Sequence, residues 1–417
     1  MANDATQKTA YTVLAACVLL NLSIGVLYAW SVLTSVMTAP ITAGGWGWTS
    51  SQAGLPYTVA IIVFATAMLF GGRLQDKIGP GRVVLVGGIL AGSGIIVSGL
   101  VGNNVPGIIL SFGVLSGTGM GFGYGSVTPP ALKWFHPGKK GMISGLVVAG
   151  FGLSAVYFAP LTSSLLGRFG IETTLLIIGV GVLLVAVTAS LFVKNPPPGY
   201  VPPVPAKIKQ SAAKIAPAAD YTRMEMLKTK RFYLMFIMFL LTASVGLMFI
   251  GSITIIAQTQ AGITTAAVLA MLVSFLAVMN TVGRIIGGMI SDKIGRIKTL
   301  YMVFVVQMLN MGFFMFYQNL PMLIIGIIGV GFCFGTLLSV FPALTADQYG
   351  LKNIGANYGI MFMAWGFAGI VAPVIANYLY DIHGNFNTAY IICAVMMAAM
   401  IFVNFLLQKD VASRQNI

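Results

Sequence analysis

The chain has 417 residues, of which 58% are hydrophobic and 8% charged, and its mean hydropathy is +0.92. A soluble protein spends about 25% of its residues on Asp, Glu, Lys and Arg; a chain with a third of that cannot cover its surface with groups that water accepts, so a soluble enzyme is excluded. The net charge of +14 would suit a nucleic-acid partner, but its distribution along the chain points elsewhere.

Apolar runs long enough to cross a bilayer, about 20 residues each, follow one another from end to end. They predict twelve spans, at 11–38, 50–73, 82–102, 106–134, 140–167, 171–194, 231–258, 263–291, 297–318, 321–347, 353–382 and 386–409. The first run is far longer than the roughly 7–15 apolar residues of a cleavable signal, so no signal peptide is expected. Cys17, Cys333 and Cys393 lie inside apolar runs and read as small core residues, not as a disulfide framework. The long polar segment 195–230 opens with NPPPGYVPPVP, which the prolines keep out of helix, and continues into a basic stretch. The expected division is an N-terminal six-helix bundle (1–194), a cytoplasmic Pro-rich basic linker (195–230) and a C-terminal six-helix bundle (231–417). The expected fold class is all-α.

Of the 23 basic residues, 21 fall on one side of these spans. They include Lys8, Arg73, Lys77, Arg82, Lys133, Lys139, Lys140, Lys293, Arg296, Lys298, Lys352, Lys409 and Arg414, with eight more between Lys194 and Arg231. Arg168 falls on the other side, and Arg284 lies within a span. The excess of Lys and Arg marks the cytoplasmic side, so both termini and the linker are expected there, in an inner or plasma membrane. The +14 is then topology, and no nucleic-acid partner is expected. Lys207, Lys209 and Lys214 of the linker are candidates for contact with anionic lipid.

The halves repeat. GGRLQDKIG (71–79) returns as GGMISDKIG (287–295), 216 positions later, with six of nine residues identical. Weaker echoes join Gly121-Phe-Gly-Tyr-Gly125 to Gly331-Phe-Cys-Phe-Gly335, and Ala159-Pro160 to Ala372-Pro373. Parallel six-helix halves with substrate held between them at mid-membrane describe one transporter architecture. The glycines at 117, 119, 121, 123 and 125 form a strip expected to be too loose for a rigid helix and to bend during alternating access.

With its repeated GxLxDxxG-type loop, the chain resembles the major facilitator superfamily over essentially its whole length. The stretches SIGVLYAW (23–30), KWFHPGKKGMISG (133–145), VGRIIGGMISDKIGR (282–296) and ANYGIMFMAWG (356–366) are similar to the oxalate/formate antiporter branch and its monocarboxylate-transporter relatives. The resemblance implies alternating access. It also implies a latch at each repeated loop, with Asp76, Lys77, Asp292 and Lys293 as gating residues. Their carboxylates are expected to pair with neighbouring basic residues or helix N-termini.

None of the nine acidic residues lies in the middle of a span: Asp4, Asp76, Asp220, Glu225, Asp292, Asp347 and Asp410 fall on the cytoplasmic side, Glu172 and Asp381 at the outer rim. His136 and His383 are also in loops. No catalytic acid pair, metal cluster or cofactor motif is present in the sequence, so an enzyme is not expected. Arg284 precedes Asp292 by eight residues, about 12 Å of helix rise, which places it near mid-membrane. An arginine there costs about 2.5–3.5 kcal/mol to insert. One reading is structural, a guanidinium that snorkels or caps carbonyls. The other is that its counter-ion is the substrate, most simply a carboxylate in bidentate contact.

One buried cation neutralises one carboxylate. The antiporter family holds a dianion with a second basic residue in span eleven; alignment on Asn357-Tyr358-Gly359 puts Trp365 there. A monocarboxylate of the lactate, pyruvate or formate class is therefore expected. Tyr28, Tyr124, Phe334, Phe362 and Trp365 are candidate walls; Tyr28 and Tyr124 match the family. Phe151 stands where it has tyrosine, Phe334 where it has tryptophan and Leu27 where it has glutamine, which makes the cavity less polar. Asn280 stands where animal-type monocarboxylate transporters carry an aspartate. The expected activity is secondary transport of a small monocarboxylate, with a proton carried on the substrate carboxyl, by a monomer in the lipid bilayer. An anion exchanger of the oxalate:formate type is the main alternative, and a non-transporting nutrient receptor a remote one.

Overall fold

The computed structural model describes residues 2–203 and 219–415. Within them there is no strand; the chain is built of long helices. We label them α1 (Gln7–Met37), α2 (Ser50–Ile78), α3 (Pro80–Val101), α4 (Val105–Trp134), α5 and α6 (together Lys140–Ser190), α7 (Lys230–Ala261), α8 (Ala267–Ile294), α9 (Arg296–Phe314), α10 (Leu320–Tyr349), α11 (Ile354–His383) and α12 (Asn387–Gln415). Helices suit this composition because hydrocarbon offers no water to backbone N–H and C=O groups, so each must find its partner within the segment. Large apolar side chains turn outward: Phe70, Leu100, Leu184, Val395 and Phe402 are each at least 61% exposed.

The Lys140–Ser190 run is 51 residues long, about twice what one crossing needs. It breaks at Gly170, whose φ of +73° ends α5 and starts α6. The two spans expected there are thus joined by a single left-handed residue and not by a loop. α1 narrows to a 3-10 stretch at Gly25–Ala29, and α4 widens to π-helix at Ile109–Ser116. The glycine strip of α4 departs from the looseness expected of it: Gly117–Gly125 is regular helix with its glycines buried. Small residues let neighbouring backbones close in, and Gly121 sits directly against the Phe64 carbonyl of α2. The irregular backbone lies on either side of the strip, in the π segment before it and at Ser126 after it.

Both repeated loops close alike. Gly79 (φ 94°, ψ 150°) and Gly295 (φ 92°, ψ 154°) share a conformation that a side chain would strain. The proline-rich stretch 195–203 is not helical. Residues Arg223–Leu227 form a short helix with a Thr222/Glu225 capping box, and the Thr222 backbone N–H and hydroxyl hold the Glu225 carboxyl below the usual carboxylate range. Lys207, Lys209 and Lys214 lie outside the described residues.

The chain forms two compact units. One comprises Met1–Pro137, Val147–Ala216 and Gly350–Phe362; the other comprises Gly138–Leu146, Pro217–Tyr349 and Met363–Ile417. Each therefore includes a short segment from the far half of the sequence.

Candidate functional site

Arg284 is the largest fully buried side chain, 1% exposed. It lies in a π-helical turn of α8, Gly283–Gly287, and such turns re-aim a side chain by widening the helix locally. Its Nε donates to Asn280 Oδ1 at 3.1 Å, one turn earlier. Asn280 is itself buried, so a neutral amide orients the guanidinium and leaves its charge intact. Neighbouring backbones hold the turn closely. A methyl on Gly145 of α5 would run into the Arg284 carbonyl, and one on Gly335 of α10 into the Asn280 carbonyl. Thr336 Oγ1 donates at 2.8 Å to Phe332 O and at 3.3 Å to Gly283 O, supplying a partner to a carbonyl at the start of the π turn. In the same unit Phe334 is buried against Gly246 of α7, and Trp365 is half-buried on α11.

A second group belongs to the other unit. Tyr124 of α4 has its ring 5.2 Å from Phe151 of α5 and 5.3 Å from Phe362 of α11. Phe64 of α2 completes the cluster, 5.5 Å from Tyr124, 6.0 Å from Phe151 and 6.2 Å from Phe362. Tyr358 flanks Phe362 at 5.8 Å. All five are buried. Leu27 is buried in the 3-10 stretch of α1. Tyr28 lies on the same stretch, its side chain outside the described residues.

The repeated loops form two polar knots of the same design. In one unit, Asp76 Oδ2 accepts the Ala356 N–H at the start of α11 at 2.9 Å. Its Oδ1 accepts Gln75 Nε2 at 2.6 Å and lies 3.8 Å from Lys133 Nζ. In the other unit, Asp292 accepts the Gly141 and Met142 N–H groups at the start of α5, at 2.8 and 2.7 Å, and Arg296 Nη1 at 2.6 Å. Arg296 Nε reaches Asp347 Oδ2 at 3.0 Å, and Lys140 Nζ reaches Asp347 Oδ1 at 2.8 Å. Asp76 and Asp292 thus each cap a helix N-terminus, where exposed N–H groups and the helix dipole favour negative charge. Lys77 and Lys293 are exposed.

The sequence model of the Major Facilitator Superfamily matches residues 19–318 and 302–416. The chain belongs to the Major Facilitator Superfamily. It is a multi-pass membrane transporter of the twelve-helix fold, not an enzyme. The oxalate:formate antiporter of Oxalobacter formigenes is 28% identical, covering 92% of this chain and 88% of its own. Monocarboxylate transporter 13 of Rattus norvegicus is 25% identical, covering 82% of this chain and 76% of its own. Among solved structures, the superfamily transporter FucP in its outward conformation superposes with a TM-score of 0.69 at 15% identity, over 95% of this chain and 99% of that one. The family resemblance and the fold expected from sequence are borne out.

Several residues of this Major Facilitator Superfamily member were not singled out by sequence. Phe64 lies at mid-span in α2, and the depth criterion that marks Tyr124 would have marked it too. Lys133, Lys140, Arg296 and Asp347 read only as topogenic charge, because a sequence does not show which helix end faces which carboxylate. The one hint was position: Arg296 directly follows the repeated loop, and Asp347 ends α10.

Proposed function

We propose that this transporter carries a small monocarboxylate of the lactate, pyruvate or formate class, held by Arg284, with a proton as co-substrate. The observation that carries the reading is Arg284 itself, a guanidinium 1% exposed, inside a membrane span, oriented through Nε by a neutral Asn280. A guanidinium presents its other N–H groups as a planar fork matched to a carboxylate. The relatives support the substrate class, since the names of both the antiporter and the monocarboxylate transporter denote carboxylates. Within the other unit Phe64, Tyr124, Phe151 and Phe362 form a buried aromatic cluster whose only polar group is the Tyr124 hydroxyl.

An anion entering against an inside-negative potential is opposed by about 2.3 kcal/mol per 100 mV, so accumulation needs a compensating cation or an exchanged anion. A proton on the substrate carboxyl meets that need. In this reading Asp76 and Asp292 latch the cytoplasmic side by capping α11 and α5. The protein works as a monomer in an inner or plasma membrane, with both termini in the cytoplasm. Exchange of the oxalate:formate type is the second reading, favoured by the antiporter's 92% coverage of this chain. Counterflow in proteoliposomes with labelled lactate, pyruvate, formate, oxalate and succinate tests it. Exchange of monocarboxylates alone is expected; exchange of oxalate at a comparable rate would select the second reading.

A further inference from the structure

Two lysines far apart in sequence meet at one cleft. Lys8, at the start of α1, and Lys194, four residues past the end of α6, line a cavity of about 230 Å³ together with Thr9, Thr12, Val13, Leu191 and Phe192. No carboxylate lines it. The Thr12 hydroxyl turns back to donate to the Lys8 carbonyl at 3.0 Å, and the charge of the cleft comes from its two lysines. The segment carrying Lys194 is fixed, because its carbonyl accepts Trp134 Nε1 at 2.7 Å. Beside the ammonium groups the wall is apolar and open: Leu191 is 74% exposed and Phe192 45% exposed.

Paired cations next to exposed aliphatic and aromatic surface, at the ends of two membrane helices, match one kind of molecule. We propose that this cleft binds the headgroup of an anionic glycerophospholipid, its phosphate between Lys8 and Lys194 and its acyl chains along Leu191 and Phe192. A free phosphate would satisfy the charges and leave the apolar wall bare. A zwitterionic lipid would bring its own ammonium towards two others. The positive-inside count places both lysines on the cytoplasmic side, where anionic lipids attract basic residues next to the membrane. Lysine stems reach along apolar surface while the charged ends stay at the headgroup level. The proposal is independent of the substrate held at Arg284.

The test uses the full chain in neutral detergent, with phosphatidylglycerol, phosphatidylcholine and inorganic phosphate added separately, and reads binding by native mass spectrometry and melting temperature. Phosphatidylglycerol is expected to bind and raise the melting temperature, and the other two to do neither at equal concentration. Replacing both lysines (Lys8→Gln with Lys194→Gln) should weaken phosphatidylglycerol binding roughly 25-fold, about fivefold per ammonium. The charge-keeping pair Lys8→Arg with Lys194→Arg should retain it. The melting temperature without lipid reports whether each variant is folded. Unchanged phosphatidylglycerol binding in the folded glutamine pair would overturn the proposal. So would equal protection by inorganic phosphate, lost in that pair, which would make this a site for free anions.

Discussion

Asn280 and Arg284 face each other across one turn of α8, the amide oxygen accepting the guanidinium Nε at 3.1 Å. The pair is buried, and the π turn that begins at Gly283 sets the direction of the arginine. In the proposed reading, what stands at position 280 controls how much of the guanidinium's charge is left for a substrate.

Asn280→Asp puts a carboxylate where the amide now sits. Next to Arg284 its ionised form is favoured, while burial opposes ionisation. Once ionised it competes with the substrate for the same fork, so lactate or pyruvate binding should weaken at neutral pH, by roughly 10-fold or more for a close buried charge pair. Protonation removes the competitor, so binding should recover partly as the pH falls. Binding titrations of the purified variant between neutral and acid pH check this; a loss that deepens on acidification contradicts it.

Trp365→Lys adds a second cation on α11, three residues from Phe362 on the same helix. If charge balance sets specificity, preference should move from monocarboxylates towards oxalate. The ratio of pyruvate to oxalate counterflow is the measurement. An unchanged ratio in a folded variant would show that charge counting is the wrong rule.

The two carboxylate knots are not equally strong. Asp292 accepts two backbone N–H groups and Arg296 at 2.6 Å, whereas the nearest cation to Asp76 is Lys133 at 3.8 Å. Hydrogen bonds to charged groups are worth about 1.5–3 kcal/mol each. Asp292→Ala should therefore lower the melting temperature more than Asp76→Ala, and Asp347→Ala, which takes the carboxylate from Lys140 and one of two carboxylate partners from Arg296, should resemble Asp292→Ala. Scanning thermal unfolding of the three variants in one detergent decides the order.

The spans, the repeat and the buried arginine were legible in sequence because each rests on a local property: run length, a copied nonapeptide, and one charge in an apolar run. The knots were legible only in part. The capping role of Asp292 needs the start of α5, about 150 residues earlier in the chain, and no periodicity reports that. The seamless passage from α5 to α6 through Gly170 was hidden because apolar composition marks membrane residence and is silent on how the chain turns. The regular helix of Gly117–Gly125 went the other way. Glycine propensity predicts looseness, but close packing on α2 and α3 overrides it.

The most direct test is carboxylate uptake by Arg284 variants in proteoliposomes, normalised to reconstituted, folded protein. Arg284→Ala should reduce lactate and pyruvate uptake by roughly 100-fold or more, the scale of losing one partner of a buried charge pair. Arg284→Lys should stay severely impaired, because a point charge cannot reproduce the planar fork. Uptake near the wild-type rate by Arg284→Ala would contradict the assignment of this arginine as the carboxylate site.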